Sequence, residues 1–260
     1  MKFDDFDNIM RVYETSCDHC TLPGIYMVTR IDGRNFTTLS RKICHFEAPF
    51  DVKMRDLMIE TTRRLMRCGF TILYGYTQSD EISLLHSLRE TAFSRKHRKF
   101  NSILAGEASA MFTHLLGTPA AFDCRVCELP STALVTDYFR WRMEDAHRNA
   151  LNGHCYWHLR ATGKSPKEAT TQLSGMSVAQ KNELLFSRGI NFNDLPLWQK
   201  RGSGVYFTFI EKTGIDPRDR SPVTTTRRQL VTEMELPMND DYAAMLKNIL
   251  RADDGKPGLH

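Results

Sequence analysis

The sequence predicts a mixed α/β fold, an antiparallel sheet of the ferredoxin-like split βαβ kind followed by a helical second half. Three observations carry that expectation. Up to Leu129, apolar alternation and helical period succeed one another as strand, helix, strand, strand, helix, strand. From about Thr132 to Arg160 a helical period then runs without interruption. The composition is that of a folded chain: 260 residues, 41% hydrophobic and 25% charged, which excludes a disordered, collagen-like or disulfide-stapled miniature domain.

The elements follow in order. Gly24 to Ile31 reads as the first strand and stops at Asp32-Gly33. Asp51 offers an N-cap to a helix whose apolar positions are Met54, Leu57, Met58, Thr61 and Leu65, with Cys68-Gly69 as its stop. Phe70 to Tyr76 is β-rich, Thr77 to Glu81 is a turn, and Ile82 to His86 is the next strand. A second helix carries Ile103, Leu104, Ala108, Met111, Phe112 and Leu115, and Gly117 with Pro119 closes it. Ala121 to Leu129 is the fourth strand. After the long helix, Ser165-Pro166-Lys167-Glu168 and Ser177-Val178-Ala179-Gln180 are capping signals for two short helices. An aromatic strand (Val205 to Ile210), a Thr-rich strand (Val223 to Thr232) and a helix from Asp240 to Leu250 complete the chain. Tyr206, Phe207 and Phe209 are expected in the core rather than as a base-stacking platform.

Net charge is +4, which neither requires nor forbids a nucleic-acid partner. No stretch approaches the length of a membrane span, and the acidic start (Asp4, Asp5, Asp7) is unlike a secretory leader. A cytoplasmic protein with no membrane partner and seven reduced cysteines is therefore expected. Cys17/Cys20 and Cys124/Cys127 both have C-x₂-C spacing. On a strand an offset of three sends the second pair to opposite faces, which argues against zinc there.

The chemistry rests on carboxylates. In the split βαβ topology the end of the first strand and the turn between the next two meet at one edge of the sheet. Asp32 lies at the first place and Asp80-Glu81 at the second. Acidic groups gathered beside glycine at a strand end suit Mg²⁺, and two such ions serve nucleotidyl transfer. Turn-forming aspartates are the plainer alternative. The basic run Arg95-Lys96-His97-Arg98-Lys99 is either a solvated helix start or a phosphate neutraliser.

Arg30-Ile31-Asp32-Gly33-Arg34-Asn35-Phe36, followed 48 residues after Asp32 by Gln78-Ser79-Asp80-Glu81, resembles the tRNA-histidine guanylyltransferase family, including its bacterial and archaeal guanylyltransferase-like members. Phe122-Asp123-Cys124-Arg125-Val126 is similar to that family's Phe-Asp-x-Arg-Val strand, and Trp141-Arg142 with His147 to Asn152 to its Trp-Arg and His-Ile-Asn-Asn-Leu helix. Lys181 to Phe186, Gly189 to Asn193 and Lys200-Arg201-Gly202 continue the likeness in order, over about residues 25–209.

The resemblance implies a polymerase palm over residues 1–130, with residues 131–260 as a helical and β-hairpin extension packed on it. It implies an enzyme that activates a tRNA 5′-phosphate with ATP or GTP and then adds a nucleotide to it, in the 3′–5′ direction. Two Mg²⁺ ions are its cofactors, and the partners are tRNA, nucleoside triphosphates and further copies of the chain in a tetramer. Carried over by position, the metal ligands are Asp32, the carbonyl of Gly33 and Asp80, with Glu81 beside them as a third catalytic carboxylate. The nucleotide contacts fall on Arg34, Asn35, Phe36, Thr37 and Ser79, with Lys96 and Lys99 on the triphosphate. Arg125, His147, Lys181 and Asn182 fall on tRNA-handling positions. Thr37 stands where eukaryotic members usually have His, and Arg148-Asn149-Ala150 where they have Ile-Asn-Asn. These departures favour the branch that repairs truncated tRNA 5′ ends against a template. A palm-fold nucleotide cyclase needs the same two aspartates but not the later blocks. A non-catalytic RNA-binding module needs an aromatic Lys/Arg-Gly-Phe/Tyr-Gly/Ala-Phe strand that the sequence lacks.

Overall fold

The computed structural model describes residues 2–215, 218 and 220–254. In chain order the elements are α1 (Phe3–Thr15), β1 (Tyr26–Arg34), the short α2 (Phe36–Thr38), α3 (Val52–Leu65), β2 (Ile72–Gln78), β3 (Glu81–His86), α4 (His97–Leu116) and β4 (Ala121–Leu129). The second half holds α5 (Thr132–Ala161), α6 (Pro166–Leu173), α7 (Val178–Phe186), α8 (Leu197–Arg201), β5 (Ser203–Ile215), β6 (Pro222–Glu233) and α9 (Asn239–Asp254).

The strands form one sheet in the order β4-β1-β3-β2-β5-β6, with every neighbouring pair antiparallel. β1 and β2 therefore run parallel on either side of β3, the expected split βαβ arrangement. Alternation along β1 sends Met27 and Ile31 to one face and Val28 to the other. The first face buries Leu57, Phe100 and Phe112 of α3 and α4; the second buries Phe139 of α5 and Tyr242 and Leu246 of α9. Cys124 packs into the first core and Cys127 into the second, as an offset of three on a strand requires.

α5 spans 30 residues, about 45 Å. Its first half packs on the sheet, while Ala150, Leu151 and Cys155 meet Leu185 and Phe192 in a third, smaller core. The caps behave as the sequence predicts. Asp51 accepts from the Met54 amide at 3.0 Å, both Ser165/Glu168 and Ser177/Gln180 close reciprocal capping boxes, and Gly117 ends α4 at φ 75°.

Three features depart from expectation. The acidic start is a helix, α1, and none of its residues is buried. β5 and β6 run on beyond the strands they were expected to be. Their outer part leaves the core behind, so Phe209 is 53% exposed rather than buried. No helix among the described residues is long and apolar enough to cross a membrane.

Candidate active site

β1 and the β2–β3 turn build the carboxylate pair. Arg30 and Asp32 share one face of β1 because strand side chains alternate. Register places Glu81 of β3 opposite Asp32, and Arg125 of β4 opposite Arg30. The Gly33 amide donates to the Asp80 carbonyl at 3.0 Å, which ties the strand end to the turn. Ser79 takes φ 55° to make that turn, and its hydroxyl donates to Asp80 Oδ1 at 3.0 Å. Gly33 has no room for a larger residue: a Cβ there would lie 2.5 Å from the Phe36 ring.

Burial raises the Asp80 carboxyl above its ordinary range, the Ser79 hydroxyl opposes this, and the charges of Asp32 and Glu81 add to the rise. A divalent cation held by Asp32 and Asp80 would relieve that repulsion. Among the described residues no cluster of three or more His, Cys, Asp and Glu forms a metal site. The donor set here is therefore two carboxylates and the backbone, which leaves positions for water and phosphate oxygens, the usual preference of Mg²⁺. The residues fit that ion.

Glu81 has a different place from the other two. One oxygen accepts from Arg30, and the other from Arg142 of α5 at 2.7 Å. It organises guanidinium groups beside the pair. Arg125 reaches Asp32 Oδ2 at 3.4 Å, so it belongs to the carboxylate site and not with His147.

A cavity of about 680 Å³ opens over the turn, lined by Thr77 to Asp80, Thr37, Arg41, Lys42, Trp157, Arg160 and Trp198 among others. Arg34, Asn35 and Thr37 are exposed at its approach, with Asn35 at φ 61°. Phe36 is only 3% exposed, and its ring packs on Phe112 and Phe122 at centroid distances of 5.2 and 4.8 Å. As a nucleotide contact it therefore has its backbone and ring edge to offer, not a free ring.

Sequence reasoning missed the far wall. Arg41 donates to the carbonyls of Phe46 and Glu47 at 3.0 and 2.9 Å and lies 4.7 Å from the Trp157 ring centroid. Arg55 stands 4.8 Å from that of Trp198. No local motif joins residues so distant in sequence.

A second cavity, about 370 Å³, is lined by Trp141, Asp145, His147, Arg148, Lys181 and Tyr242 among others. Burial lowers the His147 imidazole below its usual range, and the Lys200 and Arg201 charges lower it further. His147 and Lys181 are thus brought together as expected. Asn182 instead turns back on its own helix and donates to the Val178 carbonyl at 3.0 Å.

Lys96 and Lys99 are not brought to the carboxylates within the chain. β3 leaves the turn at Glu81, so α4 begins at the opposite end of the sheet. There Lys96 pairs with Asp18 at 2.7 Å, His97 meets Glu128 of β4, and Lys99 lies over the Phe93 ring.

A ferredoxin-like sheet with Asp32 and Asp80 at one strand edge, and a cavity of nucleotide size over the turn that carries Asp80, is the framework of a palm-fold nucleotidyltransferase. The family described as tRNAHis guanylyltransferase matches residues 7–130, and the Thg1 C terminal domain matches residues 133–244. The chain belongs to the tRNAHis guanylyltransferase family. It is 35% identical over 198 residues to the tRNA(His) guanylyltransferase of Neurospora crassa, covering 71% of this chain and 67% of that one. It is 31% identical over 225 residues to tRNA(His) guanylyltransferase 1 of Arabidopsis thaliana, covering 82% of this chain and 39% of the relative. Among solved structures it is similar to a bacterial tRNA(His) guanylyltransferase-like protein in complex with ATP, with TM-score 0.73, 25% identity and coverage of 94% and 98% of the two chains. The Saccharomyces cerevisiae tRNA(His) guanylyltransferase gives TM-score 0.69 at 29% identity, with 75% and 91% covered. Membership sets aside the cyclase and the non-catalytic RNA-binding module.

Proposed function

We propose that this chain is a Mg²⁺-dependent 3′–5′ nucleotidyltransferase that repairs tRNA 5′ ends, adding the nucleotide complementary to the facing base. The observation that carries the reading is the half-buried Asp80, which lines a nucleotide-sized cavity and lies beside Asp32, in a chain of this family. The solved relative bound to ATP, and the same kind of protein bound to GTP, support the two triphosphates as substrates.

In this reading the 5′-phosphate of the RNA first attacks the α-phosphate of ATP or GTP, pyrophosphate leaves, and a 5′–5′ linked nucleotide activates the end. The 3′-hydroxyl of the incoming triphosphate then attacks the activated phosphate, and the nucleoside monophosphate leaves. Asp32, the Gly33 carbonyl and Asp80 would hold the ions. When bound, they offset the negative charge that develops on the reacting phosphates. Thr37, Ser79 and the exposed Arg34 and Asn35 position the triphosphate, and Arg125 faces the RNA end from β4. Residues 1–130 carry the chemistry, residues 131–260 present the RNA, and the working form is a homotetramer. Lys96 and Lys99 stay outside the site of their own chain.

Incubation with ATP, GTP, Mg²⁺ and tRNAs, intact or lacking their first nucleotide, followed by 5′-end sequencing, tests the reading. Restored 5′ ends are expected on truncated tRNAs. No 5′ addition to any of them overturns it.

A further inference from the structure

Arg142 joins Asp145, on the wall of the second cavity, to Glu81, the neighbour of Asp80. Its side chain is 7% exposed, and one nitrogen donates to Glu81 Oε2 at 2.7 Å and to Asp145 Oδ2 at 3.0 Å. Glu81 accepts in turn from Arg30, whose same nitrogen lies 3.3 Å from Asp32 Oδ2. At the other end Asp145 accepts from Arg148, whose side chain is 70% exposed on the rim of the second cavity. Alternating charges thus run Arg148, Asp145, Arg142, Glu81, Arg30, Asp32.

Two details favour an exchange of these partners. Arg30 serves two carboxylates through one nitrogen, while its Nε is buried without a hydrogen-bond partner. A buried donor left unpaired is costly, so Arg30 is not locked in its present place. Arg148, by contrast, is exposed enough for an anion in the cavity to engage it.

We infer that this line of ion pairs makes a phosphate monoester in the cavity beside His147 tighten cation binding at Asp32. The phosphate draws Arg148 away from Asp145. Asp145, which also accepts from Asn149 at 3.2 Å, then holds Arg142 more fully, and Arg142 loosens from Glu81. Glu81 draws Arg30 off Asp32, whose Oδ2 keeps only the 3.4 Å contact to Arg125 and is freer for the cation. Such pairs act strongly because they are partly removed from water. The inference rests on the proposed function, and gives Arg142 a positioning role in it. Coupling is reciprocal, so the cation tightens phosphate binding by the same factor.

The test measures Mn²⁺ binding to the full chain by the loss of the free-ion paramagnetic resonance signal. It is run with a 5′-phosphorylated tRNA transcript, with the same transcript bearing a 5′-hydroxyl, and with GMP. Asp32→Asn supplies the background from Mn²⁺ held by RNA alone. The 5′-phosphate is expected to tighten Mn²⁺ about fivefold or more over the 5′-hydroxyl. A similar gain with GMP assigns the effect to a free nucleotide's phosphate as well as the RNA end. Arg142→Lys keeps the charge but not the two-sided contact, and should bind Mn²⁺ with the phosphate effect gone. Asp145→Asn, which cuts the line at the cavity end, should do the same and serves if Arg142→Lys does not fold. Equal Mn²⁺ affinity with every additive, or a gain that persists in these variants, overturns the coupling alone. Mn²⁺ that does not bind the wild-type chain, or binds Asp32→Asn equally well, overturns the metal site and the coupling with it.

Discussion

Asp80 answers to two opposed demands, since the proposed chemistry needs it ionised and its partial burial favours the neutral form. With its folded value raised, the ionised group destabilises the metal-free fold at neutral pH, and the penalty is relieved as pH falls through that raised value. Asp80→Asn should therefore abolish nucleotide addition yet raise the metal-free melting temperature. Mg²⁺ should raise that temperature for the wild type and leave the variant unmoved; scanning calorimetry with and without Mg²⁺ checks both. His86 acts in the same direction as a depressed carboxylate. Burial, then the Arg95 charge, depresses its imidazole from 6.5 to about 3, and its Nε2 lies 2.9 Å from the Thr29 hydroxyl. The unfolded chain takes up a proton there below pH 6.5 while the fold does not, so stability is complete above that value and is lost as pH falls towards 3. His86→Gln should flatten the dependence of melting temperature on pH between 6.5 and 5. A wild-type slope in that variant would place the acid sensitivity elsewhere. The carboxylate pair was legible because topology alone brings Asp32 and Asp80 together. The fates of Glu81 and Phe36 were not, because what they touch is set by Arg142 and by Phe112 and Phe122, far along the chain.

At the scale of elements, local signals that are strong and self-contained were legible. β4 and α5 fall where alternation and helical period put them, and the caps at Asp51, Ser165 and Ser177 form as their side chains dictate. Asp51→Ala should lower stability by about 1 kcal/mol through loss of the α3 cap, read from the denaturant midpoint at unchanged slope. The failures share a cause. Phe3, Phe6, Met10 and Tyr13 have helical spacing, but nothing among the described residues buries them, so α1 stays outside the core. Phe209 alternates like a core residue, yet lies where β5 has run past the helices that cover the sheet. The position of Lys96 and Lys99 follows from direction. A helix that returns from the end of β3 starts far from where β3 began, and nearness in sequence to Glu81 concealed that.

For the molecule as a whole, selection of RNA should rest on the acceptor end and the template. The helix around Arg148 and Ala150 departs from the block of its eukaryotic relatives, and duplex RNA offers proteins little sequence in its deep groove. In a competition at equal concentration, truncated non-histidine tRNAs should be extended with the complementary nucleotide, and intact tRNA-histidine should lag. Extension of tRNA-histidine alone, with G against any facing base, would restrict the enzyme to strict guanylyl transfer. The pairing of Tyr74 to Thr77 in β2 with Ser203 to Tyr206 in β5 has a bearing on how the polypeptide can be divided. The point near residue 130 where one family region ends and the next begins is no seam in the hydrogen-bonded sheet. Expressed separately, the first fragment would leave β2 as a bare edge, and the second would hold β5 and β6 without a neighbour. Mixed together, the two fragments should recombine and restore the activity neither has alone, as a split enzyme whose halves find each other through a strand pair.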